Sequence, residues 1–455
     1  MSTEQHVLNF ASALYRSADR FSDADRQSSI MNFVDGIGTA YAGFRRPEIK
    51  ALLASDIVDI RAAGSGWLIG SELRCRPSDA VLLNAMAAHL DDFDDDEALI
   101  SIAHVTVPTM AAALAAAGVA NCSGKKVLDG YMSGVETMVA LGELLNPEHY
   151  MLGWHASATI GVFGAAMASA RILGLTTEQM ATALSFAVTA SSGTRSAFGS
   201  SAKPWQVAAA ARNGFVSSQL AKAGLAANAS VFGPMGLAEL YGGDADRVDA
   251  VLARVGRGSP FKDPGVTIKA YPCCTAAHAA MEACETIRRS LPGYHAHDIL
   301  SVRITVGRTI PSILVHNQPK TALEGKFSMQ FCAAVALCLP SAGLDAFTDA
   351  TLANPGIRLV MERVEMVGLE EQDDPFLSEV TVTFVDGSSV RETVKRTKGS
   401  PERPFGREAM KEKFVSLCGG SRAEAAFQHL YEVPSAKDWL SFETRLASLL
   451  RCPAS

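Results

Sequence analysis

Gly153-Trp154-His155-Ala156-Ser157-Ala158-Thr159 opens the stretch that decides the fold of this 455-residue chain. Two apolar segments follow at helical spacing, 158–173 closed by Gly174 and 177–191 with Thr177 as its cap. The stretch closes on Ser201-Ala202-Lys203-Pro204-Trp205-Gln206, a loop leading into a further helix over 207–223, ended by Gly224. Its small residues let helices approach closely. His155 and Lys203 stand out as titratable groups in apolar surroundings, where burial is costly unless they are paired or used.

The same helical spacing extends outward on both sides. Helices are expected over 7–16, 28–42, 79–89 and 127–145, the third with Ser78 as cap and Pro77 just outside it. Pro108 falls in the first turn of another, where proline is tolerated. Near Pro264 the pattern changes. Residues 301–306 and 379–385 alternate like half-buried strands, the second followed by the Asp386-Gly387 turn signal, and 358–366 alternates more weakly. Helices are interleaved at 278–290 and 327–339. After Gly399-Ser400-Pro401 helices return and end at 436–450. The expected architecture is mainly α: a large all-helical domain (1–265 and 396–455) with a smaller α+β domain inserted over 266–395.

Composition narrows the function. A formal net charge of −7 with no basic block argues against nucleic acid. The start, Met1-Ser2-Thr3-Glu4-Gln5-His6, lacks a signal-peptide pattern, and no apolar run is expected to reach membrane-spanning length. Nine cysteines without a CxxC read as free thiols in a reducing cytoplasm, with no zinc site. No P-loop, GxSxG or strand-linked GxGxxG is present, so no nucleotide, flavin or haem is implied.

Three constellations remain. His89-Leu90-Asp91-Asp92-Phe93-Asp94-Asp95-Asp96-Glu97, with His104 shortly after, puts six acids in seven positions. These repel unless solvated or bound to a cation, and an exposed loop and a functional one are equally compatible with the sequence. A hard-cation site lacks the EF-hand spacing and glycine. The second is His155 with Lys203. Lysine beside a helix N-terminus opposes the helix dipole, which hints at use. The third is Lys269-Ala270-Tyr271-Pro272-Cys273-Cys274 with His278, whose adjacent thiols read as small buried apolar groups.

Together with Phe198-Gly199 through Lys203-Pro204 to Asn213-Gly214, and Lys326-Phe327-Ser328, these stretches resemble the MmgE/PrpD family. That family includes 2-methylcitrate dehydratase, cis-aconitate decarboxylase and iminodisuccinate epimerase. The resemblance implies a helical domain with an α+β lid, usually a homodimer, and a site between the two domains with no metal or organic cofactor. Its site residues would be Asp92, His104, His155, Lys203, Lys269 and His278. The chain departs from the family pattern at Asp96 where threonine is usual, at Gln206 where histidine is frequent, and at Phe331 where tyrosine is usual.

Lysines and imidazoles around a cavity suit a small polycarboxylate and an enolate-like intermediate. A neutral imidazole can remove a proton alpha to a carboxylate. His104, Lys203 and His155 form the expected catalytic set, the first two as proton-transfer groups. Asp92, Asp96, Lys269, His278, Gln206 and Arg195 are expected to bind substrate. The three lost donors favour epimerisation of an iminodisuccinate-like substrate over a hydro-lyase of the 2-methylcitrate type or a cis-aconitate-type decarboxylase. A catalytically inactive ligand-binding homologue is the reading from another class.

Overall fold

The computed structural model describes residues 3–452, apart from positions 18, 257, 292, 372, 373 and 375. The chain is mainly α, with a smaller α+β region. Its centre is the helix Gly161–Leu173, packed against Thr106–Ala120, Gly124–Leu145 and Ala202–Lys222. Small residues set how near these helices come: a Cβ on Gly214 would stand 2.3 Å from the Val162 carbonyl oxygen. Gly174 ends the central helix in the left-handed conformation, φ 72°. The expectation that no apolar run is long enough to span a membrane is corrected here. Ala156–Leu173 reaches that length, and 89% of it is buried inside the helical body, as befits a largely apolar core segment.

Buried apolar side chains form two main clusters. One draws on residues between Val7 and Ile268 and again between Phe405 and Leu450; the other lies between Tyr271 and Val394. The C-terminal helix Arg407–Cys418 returns to pack on Asp23–Phe44 in the first cluster.

The second cluster is built around a four-stranded sheet: β1 (Ile299–Gly307), β2 (Val364–Leu369), β3 (Ser378–Phe384) and β4 (Ser389–Val394). The order is β2-β1-β3-β4, with β1 and β2 parallel and the other pairs antiparallel. In β3 buried and half-buried residues alternate, and Gly387 turns the β3–β4 hairpin at φ 85°. Helix His278–Ser290 packs on β3 and β4, and Met329–Cys338 packs on β2.

Four local expectations are revised. Pro77 lies inside the helix Pro77–Leu90, at its first turn, where a missing N–H costs nothing. Thr176, not Thr177, caps Thr177–Ala190 through a reciprocal capping box with Gln179. Residues 358–366 split into the helix Pro355–Met361 and strand β2, because Asn354 caps a helix that proline opens. Lys203 is in the first turn of Ala202–Lys222 rather than in the preceding loop.

Candidate active site

The acidic segment 91–97 is not an exposed loop. Asp91, Asp92, Asp94, Asp95, Asp96 and Glu97 are all buried. Each carboxylate has partners, as burial requires. Asp91 takes the Arg46 guanidinium. Asp95 accepts from Asn32 Nδ2 at 2.7 Å and from the Thr106 backbone N–H at 3.2 Å. Glu97 accepts from the backbone N–H groups of Leu99 and Ile100, and Glu97 and Ala103 exchange backbone hydrogen bonds, which closes the 98–102 turn. That turn holds Ile102 at φ 47°, and Asp92 itself stands at φ 51°. Positive φ is tolerated by aspartate and strained for a β-branched residue, at roughly 1–3 kcal/mol.

Asp92 is the hub. Its carboxylate lies 2.7 Å from Lys203 Nζ, 3.1 Å from Lys269 Nζ and 3.6 Å from His104 Nε2. Lys269 Nζ also donates to the Asp92 carbonyl oxygen at 3.0 Å. Burial alone would push the Asp92 carboxyl up, but Lys203 and Lys269 outweigh it and hold the group well below the usual carboxylate range. Burial would lower the Lys269 ammonium; Asp92 and Asp96 overcome that and keep it charged.

Asp94, behind Asp92, receives two imidazoles through their Nδ1 atoms: His104 at 2.8 Å and His89 at 2.9 Å. His89 Nε2 stands 2.7 Å from Lys203 Nζ, which is a donor only. His89 therefore carries its proton on Nδ1. Burial pushes His104 down to about 3, against the pull of Asp94, so this imidazole is neutral. Burial likewise holds His155 far below its usual range, with Lys203 adding to the effect.

These groups meet at one cavity, with about 60 Å³ of free space, enough for a few waters. Asp92, His104, His155, Lys203, Lys269 and Asp96 all line it. They come from far apart in sequence. His104 precedes the helix Thr106–Ala120, with its backbone N–H on Ser157 Oγ at 2.9 Å. His155 heads the short helix Ala156–Thr159, and Lys269 lies where the chain passes between the two apolar clusters. The acidic segment is pinned to this connector by paired backbone bonds between Asp96 and Thr267.

Three expected binders are placed elsewhere. His278 is buried against Tyr271 with Nε2 on the Cys273 carbonyl oxygen at 3.2 Å, because the turn before its helix faces it into the sheet-side core. Arg195 lies over the Tyr150 ring and donates to the backbone oxygens of Tyr150 and Ser312, bridging the two regions rather than facing the cavity. Gln206 sits behind His155. Phe331 packs on Phe347 in the sheet-side core, so a hydroxyl lost there is lost from the core and not from the cavity.

Further participants were not expected from the sequence: Tyr150, Phe198, Cys274, Thr275 and Phe327 also line the wall. Burial and then Asp92 push the Cys274 thiol up to about 12, so it remains protonated. Lys326 is buried with Nζ on the carbonyl oxygens of Asp91 at 2.7 Å and Pro272 at 2.9 Å, tying both regions to the acidic segment. Lys413, 2.7 Å from Asp35, donates to the Phe93 carbonyl oxygen from below. The lysine of Lys326-Phe327-Ser328 was a visible signal for the first; Lys413 carried none.

Asp96 is the unusual wall residue. One carboxylate oxygen accepts from Thr275 Oγ1, while the other is buried without a hydrogen-bond partner. Burial raises it to about 6, opposed by Lys269. A metal could draw on His89, Asp92, Asp94 and His104, whose donor atoms lie within 4.8 Å of one another. The ammonium of Lys203 already stands between His89 and Asp92 and serves there as the cation.

A family model described as the MmgE/PrpD N-terminal domain matches residues 13–248, and one described as the MmgE/PrpD C-terminal domain matches residues 271–433. The chain is 29% identical to a cis-aconitate decarboxylase of Aspergillus terreus (strain NIH 2624 / FGSC A1156), over 92% of this chain and 90% of the relative. It is 24% identical to the cis-aconitate decarboxylase of Homo sapiens, over 84% and 81%. Both domain models fall in order along one chain, on the two regions that meet at the cavity, and the protein belongs to the MmgE/PrpD family.

Proposed function

We propose that the protein is a cofactor-independent lyase acting on a small polycarboxylate, with decarboxylation of a cis-aconitate-like acid as the leading reaction. The observation that carries this reading is the pairing, in one cavity, of two ammonium groups with the neutral imidazole of His104. The relatives named for cis-aconitate decarboxylation match nearly the whole chain, which favours this reaction over epimerisation.

Lys203 and Lys269 would bind the carboxylates by charge-assisted hydrogen bonds. The incoming negative charges raise the proton affinity of His104, which takes up one proton. The C–C bond to the departing carboxylate then breaks, releasing CO2. Its electron pair passes into the neighbouring unsaturated carboxylate as an extended enolate, stabilised by the two ammonium groups. His104 gives its proton to carbon, and the imidazole returns to its neutral form.

One observation favours a second reading. The unpartnered oxygen of Asp96 suits a substrate that brings an N–H or O–H donor, such as an amino-polycarboxylate undergoing epimerisation. Incubation with cis-aconitate, 2-methylcitrate and iminodisuccinate separates the cases. CO2 release from the first supports the leading reading. Inversion of the third without CO2 release from the first replaces it.

A further inference from the structure

Gln206 lies outside the cavity wall, directly behind His155. The side-chain oxygen of Gln206 accepts the Thr194 backbone N–H at 3.0 Å, and its nitrogen donates to the Thr194 carbonyl oxygen at 3.1 Å. A backbone N–H can only donate and a carbonyl can only accept, so these two bonds fix which end of the amide is nitrogen. The same nitrogen stands 2.6 Å from His155 Nδ1. Both amide hydrogens are thereby used, one on Thr194 and one on the imidazole.

We infer that Gln206 holds His155 in the Nε2–H tautomer, so that His155 faces the substrate as a hydrogen-bond donor and not as a base. Nδ1 accepts from the amide and therefore carries no proton. The neutral ring then has its single proton on Nε2, which is buried without a partner in the protein. His155 lines the cavity, so the vacant partner belongs to the substrate. A carboxylate or enolate oxygen accepts such a bond.

The arrangement is the reverse of the one at His104. There a carboxylate, Asp94, stands 2.8 Å from Nδ1 and can only accept, and it is nearer than the Asp92 carboxylate 3.6 Å from Nε2, which puts the proton on Nδ1 and the lone pair on Nε2. Two neutral imidazoles on one cavity thus present opposite faces, His104 a lone pair and His155 an N–H. Opposed environments on paired groups divide acid and base roles. The backbone is shaped for this contact. Gly193 stands at φ 133°, a Cβ there would come within 3.2 Å of the Gln206 side-chain oxygen, and its carbonyl takes the His155 backbone N–H at 3.1 Å.

Gln206 is a positioning residue, and the assignment rests on the proposed polycarboxylate site only for its consequence, not for the tautomer. The test uses the full-length protein with 15N-labelled histidine, at neutral pH without substrate, His155→Asn assigning the signals. The expected spectrum shows His155 Nε2 protonated and Nδ1 unprotonated, and His104 with the opposite pattern. Gln206→Glu keeps the shape but replaces the donor by an acceptor. It should move the His155 proton to Nδ1 or add a second, leave His104 unchanged, and lower kcat/KM on the accepted polycarboxylate about ten- to a hundredfold. Gln206→Asn, with the amide kept but shortened, separates loss of reach from loss of donor: its His155 signal stays with the neutral forms. His155 protonated on Nδ1 in the unaltered protein, or an unchanged tautomer in Gln206→Glu, overturns the inference. The expected tautomer in a protein that turns over no polycarboxylate upholds it and removes only the functional reading.

Discussion

His104 Nδ1 and Asp94 Oδ2 stand 2.8 Å apart, with Asp94 fully buried and shared with His89. A carboxylate in that position orients the ring and stabilises the imidazolium as it forms. Asp94→Asn keeps the size and removes the charge. Turnover should fall by about 10²–10⁴, with the far-UV circular dichroism unchanged. Full activity in this variant contradicts the role given to His104.

The charges around Asp92 are mutually dependent. Lys269→Met removes one of its two ammonium partners and leaves a buried carboxylate under-compensated. The expected cost is about 3–5 kcal/mol, read from denaturant unfolding. Adding Asp92→Asn to Lys269→Met should recover a large part of that loss, a coupling that a double-mutant cycle measures. Neither variant should retain activity.

Asp96 sets a pH dependence for binding. Burial raises its carboxyl to about 6, so it is neutral below that pH and anionic above it. An anion there repels an incoming polycarboxylate. For a substrate carrying only carboxylates, KM should rise as pH increases through about 6, and Asp96→Thr should abolish that rise while improving kcat/KM at pH 7.5. A substrate bearing a protonated amine should show the opposite response to the variant.

Asp95 carries a separate signature in stability. Burial raises its carboxyl to about 8, above its unfolded value, so the folded state binds the additional proton between those two pH values. Its contribution is fully present below the unfolded value and is lost as pH rises through about 8. Asp95→Asn removes the titration. The Tm of the unaltered protein should therefore decline relative to the variant between pH 5 and pH 8.

Much of the fold was legible because the helices carry their own punctuation: Gly174 ends one, Pro108 falls in the first turn of another, and β3 alternates as a half-buried strand must. The helix at Pro355 was hidden because apolar spacing over a few residues fits either period. The site was legible where a charged residue interrupts an apolar stretch, as at His155, Lys203 and Lys269. The acidic segment was ambiguous because its partners, Arg46, Lys203, Lys269 and Asn32, are distant in sequence and local repulsion says nothing about them. His278 and Arg195 carry the right chemistry but face other neighbours, and direction is a property of packing.

The most direct test of proton delivery by His104 is turnover of cis-aconitate in D2O, followed by NMR of the product. One deuterium per product molecule is expected on the carbon skeleton, with CO2 released in equal amount and both lost in a folded His104→Gln variant. Turnover that survives in His104→Gln, or no reaction of the unaltered protein with any of the three polycarboxylates, contradicts it.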